Sequence, residues 1–334
     1  MRESSSLREY IIKRILIAIF ILFVVGFIIY ALMRALPTSY IETVARERAA
    51  QGTGMSFDQW MEQLRQVYNY DRNVFEGYLG WVGNIFKGDF GDSWLYGIPV
   101  VEKFKDVIWY SVVLTLITSI LQILISIPLG IKSAVNQYTW KDYTITVISL
   151  LGVSVPTFFF ATILKFVFSQ KLGWFDLYGM VGRNHMQLSP FMKFLDYGYH
   201  LVLPVFTLVF ISIGGITRYT RTNMLEVLNS DYIRTARSKG LDEKTVINHH
   251  AFRNTLLPLI TILGGTLPGL FSGSMITETL FQIPGIGYTS YQAMVAGDIP
   301  FTMFYMLFLA VLTLAGTLIA DIMYAVADPR VRVG

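Results

Sequence analysis

The sequence predicts an all-α polytopic membrane protein with six transmembrane helices and both termini in the cytoplasm. Three observations carry that expectation. The 334 residues are 53% hydrophobic and 15% charged, with a mean hydropathy of +0.50, whereas soluble chains carry nearer a quarter charged residues. Six uncharged runs, 15–33, 107–131, 143–164, 197–217, 254–277 and 299–320, reach the roughly 20 apolar residues that a spanning helix needs. Lysine and arginine fall asymmetrically about those runs, which sets orientation.

The first run follows Arg2, Arg8, Lys13 and Arg14. It exceeds the roughly 7–15-residue core of a signal peptide and no small-x-small cleavage site follows, so it is expected to stay as a span. Residues 36–106 are too long for a simple connection. Trp60, Leu64, Val67 and Tyr68 recur there at helical spacing, and Ser56-Phe-Asp-Gln59 reads as a capping box. A small extracytoplasmic helical cap is expected. With the N-terminus inside, segments 1–14, 132–142, 218–253 and 330–334 are cytoplasmic and hold 15 of the 27 basic residues. The outer segment 171–199 holds Lys171, Arg183 and Lys193, and 278–298 holds none. The chain thus divides into 1–36, with the first span; 37–106, the cap; and 107–334, a five-helix core with a cytoplasmic hairpin at about 224–254.

That hairpin is a charged segment set between apolar ones. Leu225, Leu228, Tyr232 and Ala236 are spaced to form one apolar stripe on a helix. Arg234, Arg237 and Lys239 lie near its end, where cations suit the helix dipole. Gly240 supplies the left-handed residue that ends helices, and Asp242 can cap the next arm through Val246, Ile247 and His250. An amphipathic cytosolic helix of this kind equally suits a membrane surface.

The string Asp231-Tyr-Ile-Arg-Thr-Ala-Arg-Ser-Lys-Gly-Leu241, with His249-His-Ala-Phe-Arg-Asn-Thr-Leu-Leu-Pro258 after it, resembles the coupling loop of ABC-importer permeases in the peptide/nickel subfamily. Three other segments share the resemblance: Leu79-Gly-Trp through Gly88-Asp-Phe-Gly-Asp-Ser93, Glu278-Thr-Leu-Phe-Gln-Ile-Pro-Gly-Ile-Gly287, and the closing Asp328-Pro-Arg-Val-Arg332. Arg234-Thr-Ala236 stands where the general motif often has Glu-Ala-Ala, and Gly240 lies eighteen residues before Pro258 rather than thirteen; both departures are usual for this branch. The resemblance implies a type I ABC importer permease, the first (B-type) of two. ATPase coupling would fall to Asp231, Tyr232, Arg234, Ala236, Arg237, Lys239, Gly240 and Leu241. Implied partners are a second homologous permease, two cytosolic ATPase subunits that bind ATP and magnesium, and an extracytoplasmic substrate-binding protein, all in or at a bacterial or archaeal cell membrane. Oligopeptides or dipeptides are the expected cargo; nickel chelates, glutathione and oligosaccharides share the motifs.

In the fifth run Gly265, Gly269 and Gly273 share a helix face and permit close packing, either within the chain or against a second permease. Thr261, Thr266, Ser272 and Thr277, with Glu278, are the candidate pore or gate residues. Glu278 reads equally as a structural hydrogen-bonding group or a substrate contact. Glu278, Asp321 and Lys165 all sit near span ends, within expected reach of interfacial water, and Lys165 is expected to snorkel. Enzymatic readings find no support. There is no Gly-x-x-x-x-Gly-Lys-Ser/Thr loop, no His-Glu-x-x-His site and no cysteine, so no metal or bound cofactor is expected, nor any nucleic-acid partner. An ion-coupled secondary transporter would want mid-membrane charges and inverted repeats, and neither is visible.

Overall fold

A computed structural model describes residues 2–35, 38–50, 52, 54–68, 73–253, 255, 269 and 274–327. In chain order the helices are α1 (Arg2–Arg34), α2 (Thr38–Ala50), α3 (Phe57–Tyr68), α4 (Val74–Phe86), α5 (Val100–Val135), α6 (Trp140–Ser154), α7 (Thr157–Leu164), α8 (Pro190–Leu228), α9 (Asp231–Ser238), α10 (Glu243–Thr245), α11 (Met275–Phe281), α12 (Ile286–Val295) and α13 (Ile299–Ala327). Among the described residues the β-structure is an isolated bridge between Asp92 and Pro99.

Among the described residues four stretches are long and apolar enough to cross a membrane: Ile11–Arg34, Val100–Val135, Pro190–Leu228 and Ile299–Ile322. A fifth is broken. Helix α6 meets α7, with its π-helical continuation Lys165–Lys171, at 103°. The cause is local. Val155 is extended, with φ −81° and ψ 126°, because the ring of Pro156 disfavours helical backbone in the residue before it. The run 143–164 is therefore not the single straight span expected. The expected fifth span lies outside the described residues except for Thr255, Gly269 and its end at 274–277.

The chain forms two compact units. The first comprises residues 1–107 and 289–318. Its core gathers Tyr30, Ala45, Trp60, Tyr78, Trp94, Ile299 and Met303. Helix α3 starts at a reciprocal cap: the Ser56 amide donates to Gln59 Oε1 at 2.7 Å and the Gln59 amide to Ser56 Oγ at 3.3 Å, which matches the capping box read from the sequence. Trp60 is buried one turn inside it. Helix α4 is pinned to α1 by the Tyr78 hydroxyl, which donates to the Phe23 carbonyl at 2.6 Å.

The second unit comprises residues 108–288 and 319–334. Its centre is the pair α6 and α8, which approach through glycine. A Cβ at Gly152 would strike the Phe210 carbonyl, and one at Gly214 the Ser149 carbonyl, so small residues set the spacing as in close membrane-helix pairs. Polar side chains tie α5 to α8: Gln122 Nε2 donates to the Ser212 carbonyl at 3.0 Å and Ser126 Oγ to that of Ile213 at 3.3 Å.

Candidate functional site

The coupling-like segment follows directly from α8. That helix ends at Leu228, and after Asn229 and Ser230 the chain re-enters helix as α9. The buried stripe of α9 is Ile233 and Ala236, three residues apart. They pack with Ala134, Met224, Val246 and Ala251, with Leu225 and Leu228 alongside. Tyr232 is 46% exposed. Of the expected stripe, Leu225, Leu228 and Ala236 are in this cluster, and Ile233 is buried where Tyr232 was expected, after the break at 229–230. Asp231, Tyr232, Arg234, Arg237, Lys239 and Leu241 all face outward.

The turn after α9 is braced. Gly240 has φ +76°, a left-handed conformation that glycine adopts without steric cost. Across it Arg237 forks onto Glu243, with Nη2–Oε1 at 2.7 Å and Nε–Oε2 at 3.2 Å. This pairing raises the arginine's pKa and lowers that of Glu243. Asp242 Oδ2 accepts from the Thr245 amide at 3.0 Å and caps α10, as the sequence predicts. The chain then runs into a π-helical turn, Val246–Ala251. By contrast, Arg234 and Asp231 sit 3.7 Å apart and almost fully exposed, a contact of little energetic weight. The result is an exposed surface carrying Arg234, Arg237 and Lys239 with Tyr232 and Leu241, beside a turn braced by hydrogen bonds.

Behind that surface lies an ion pair that the sequence reading missed. Arg221 Nε and Nη2 donate to the two oxygens of Asp142 at 2.8 Å each, and Asp142 also accepts from Ser133 Oγ and the Tyr138 amide at 3.0 Å. Asp142 is 2% exposed. The pair joins the first turn of α6 to α8, seven residues before α8 ends. Opposite charges at the edges of two apolar runs were the available signal.

On the opposite end of this unit Glu278 is fully buried. Its Oε1 accepts from Ser111 Oγ at 2.7 Å and the Ser274 amide at 2.9 Å, and its Oε2 from the Tyr288 amide at 3.0 Å. Ser111 Oγ in turn accepts the Ile286 amide at 2.8 Å. Gly285 and Gly287 abut this carboxylate with no room for a Cβ, which explains the Pro-Gly-Ile-Gly string. Glu278 therefore does not reach interfacial water. The Lys165 ammonium donates to the Leu280 carbonyl and lies 3.9 Å from the centroid of the Tyr178 ring. Thr277 is buried, its hydroxyl unpartnered among the described residues. Gly269 has open space where a Cβ would stand. Thr261, Gly265, Thr266, Ser272, Gly273 and the Asp328–Arg332 string lie outside the described residues.

Two further clusters complete the picture. In the first unit Asp298 accepts from Ser93 Oγ, the Leu95 amide at 3.0 Å and the Phe301 amide at 3.2 Å, which anchors the Gly-Asp-Phe-Gly-Asp-Ser segment. In the second, Asp196 holds the Nδ1 of His185 at 2.6 Å, while His200 Nε2 meets Asp176 at 3.0 Å. Among the described residues no group of three or more His, Asp or Glu side chains could hold a metal ion.

Residues 126–333 match the family described as "Binding-protein-dependent transport system inner membrane component". The oligopeptide transport system permease protein AppB of Bacillus subtilis is 39% identical over 324 residues, covering 97% of this chain and 99% of the relative. Oligopeptide transport system permease protein OppB of Haemophilus influenzae is 31% identical over 325 residues, and dipeptide transport system permease protein DppB of Alkalihalophilus pseudofirmus 30% over 336, each with the same coverage. The several apolar helices and an alignment that runs almost end to end agree, and the chain belongs to the family of inner membrane components of binding-protein-dependent transport systems.

Proposed function

We propose that this chain is the B-type, channel-forming permease subunit of an ATP-driven importer of oligopeptides or dipeptides. The observation that carries the reading is the outward face of α9, a basic surface held by a left-handed glycine, an Arg237–Glu243 fork and a cap at Asp242. A segment that seats on a moving ATPase must transmit displacement without slack, and this one connects to α8 through two residues. In this reading the chain has six spans with both termini inside. It pairs with a second permease, and two cytosolic ATPase subunits bind ATP and magnesium. A binding protein delivers peptide from the outer side, in the inner or plasma membrane of a bacterium or archaeon. ATP closes the ATPase pair, the two α9 surfaces approach, and the pathway opens outward; hydrolysis restores the inward-facing state. Span 254–277, with Thr261, Thr266, Ser272 and Thr277, borders the pathway, Gly265, Gly269 and Gly273 pack against a neighbouring helix, and Glu278 fixes the outer turn. Relatives named for oligopeptide and dipeptide transport support the cargo class.

The test is uptake of labelled peptide by the reconstituted complex. Wild type is expected to require both ATP and the binding protein. The double substitution Arg234→Glu with Lys239→Glu is expected to abolish co-purification of the ATPase. Uptake without ATP, or ATPase binding unchanged after charge reversal, overturns the reading.

A further inference from the structure

A cavity of about 440 Å³ opens beside the Asp142–Arg221 pair, between the α5–α6 turn, α6 and the end of α8. Asp142 contributes no free charge to it, since Arg221, Ser133 and the Tyr138 amide saturate its oxygens. What remains on the lining is one unmatched cation, Arg218, with the hydroxyls of Tyr138, Tyr143, Thr146 and Thr222. None of these five groups has a hydrogen-bond or ion-pair partner among the described residues. The site therefore offers a single positive charge and several hydroxyls to a ligand carrying one negative charge and several acceptor oxygens.

Its position narrows the ligand. Trp140 and Tyr143, at the start of α6, are 72% and 59% exposed, the signature of the membrane–water boundary. Immediately along the same helix Val147, Leu150, Leu151 and Val153 are exposed apolar side chains, suited to hydrocarbon. A headgroup in the cavity would thus have its acyl chains laid along α6. We propose that the cavity binds the phosphodiester of an anionic glycerophospholipid from the leaflet on the side of α9, with Arg218 as its counter-ion. The proposal rests on α6 and α8 lying in the membrane, and is independent of cargo and of ATPase docking.

The experiment places a photo-reactive phenylalanine derivative at position 143 of the complete complex, in vesicles of phosphatidylcholine with phosphatidylglycerol. Illumination is expected to give an adduct with the mass of phosphatidylglycerol. Arg218→Gln is expected to cut its yield about fivefold, the effect of removing one basic residue from an anionic surface, and Arg218→Lys to restore most of it. Arg218 is exposed, and co-purification with the partner subunits verifies that each variant is assembled. An adduct to polypeptide would make the cavity a subunit interface and overturn the proposal. So would suppression of the adduct by inorganic phosphate, which would assign a free anion, and a lipid yield indifferent to Arg218.

Discussion

Glu278 separates two roles that its sequence position leaves open, and substitution distinguishes them. The carboxylate receives three donors in a fully buried site. Glu278→Ala strands the Ser274 and Tyr288 amides, while the Ser111 hydroxyl can turn elsewhere. Each stranded buried donor costs about 1–3 kcal/mol, so the loss is about 4 kcal/mol before any cavity cost. Glu278→Gln keeps Oε1 for two donors but turns an amide group toward the Tyr288 N–H. One bond is lost, for about 1–3 kcal/mol. Gly285→Ala forces a methyl group into the same carboxylate and is expected to resemble Glu278→Ala. Thermal stability of the solubilised complex, followed by size-exclusion chromatography after heating, is expected to fall in the order wild type, Gln, Ala. If Glu278→Ala is as stable as wild type while peptide KM rises, the group is a substrate contact and the knot is incidental.

Gly240→Val places a β-branched residue at φ +76°, a local cost of about 1 kcal/mol or more; assembly is expected to survive and peptide uptake to fail. Wild-type uptake and peptide-stimulated ATP hydrolysis in that variant would remove α9 from the coupling path. Asp142→Ala leaves the half-buried Arg221 without its partner, at a cost of about 2 kcal/mol, less than for a fully enclosed pair because the guanidinium can reach solvent. Adding Arg221→Met is expected to recover part of the thermal stability, and no recovery would mean that the pair is not what holds α6 to α8.

Long-range apolarity was legible from composition alone, since a run of twenty uncharged residues has few fates other than the bilayer. Local backbone chemistry was legible too: Ser56 and Gln59 cap reciprocally, and Asp242 caps α10 after a left-handed Gly240. Phase was legible in part: Leu225, Leu228 and Ala236 pack as their spacing predicts, but beyond the break at Asn229–Ser230 Ile233 is buried in place of Tyr232. Partners distant in sequence were equally hidden. Asp142 and Arg221 are 79 residues apart, Glu278 and Ser111 167. The bend at Pro156 was hidden as well, since hydropathy does not register it.

At 39 residues, with Pro204 inside it, α8 has a contour of about 58 Å, nearly twice the roughly 30 Å of bilayer hydrocarbon. One rod therefore carries Asp196 and His200 near one tip and Arg221 near the other. Pro204 lies between those two ends, where its ring removes a backbone hydrogen bond and permits a bend. A displacement imposed at the foot of α8 therefore reaches the histidine–aspartate cluster at its head along one continuous backbone that can flex at Pro204. Because Gly152 and Gly214 interlock α6 with this rod backbone against backbone, the two must travel together. Motion in this unit thus has a natural quantum, the helix pair, larger than any single span.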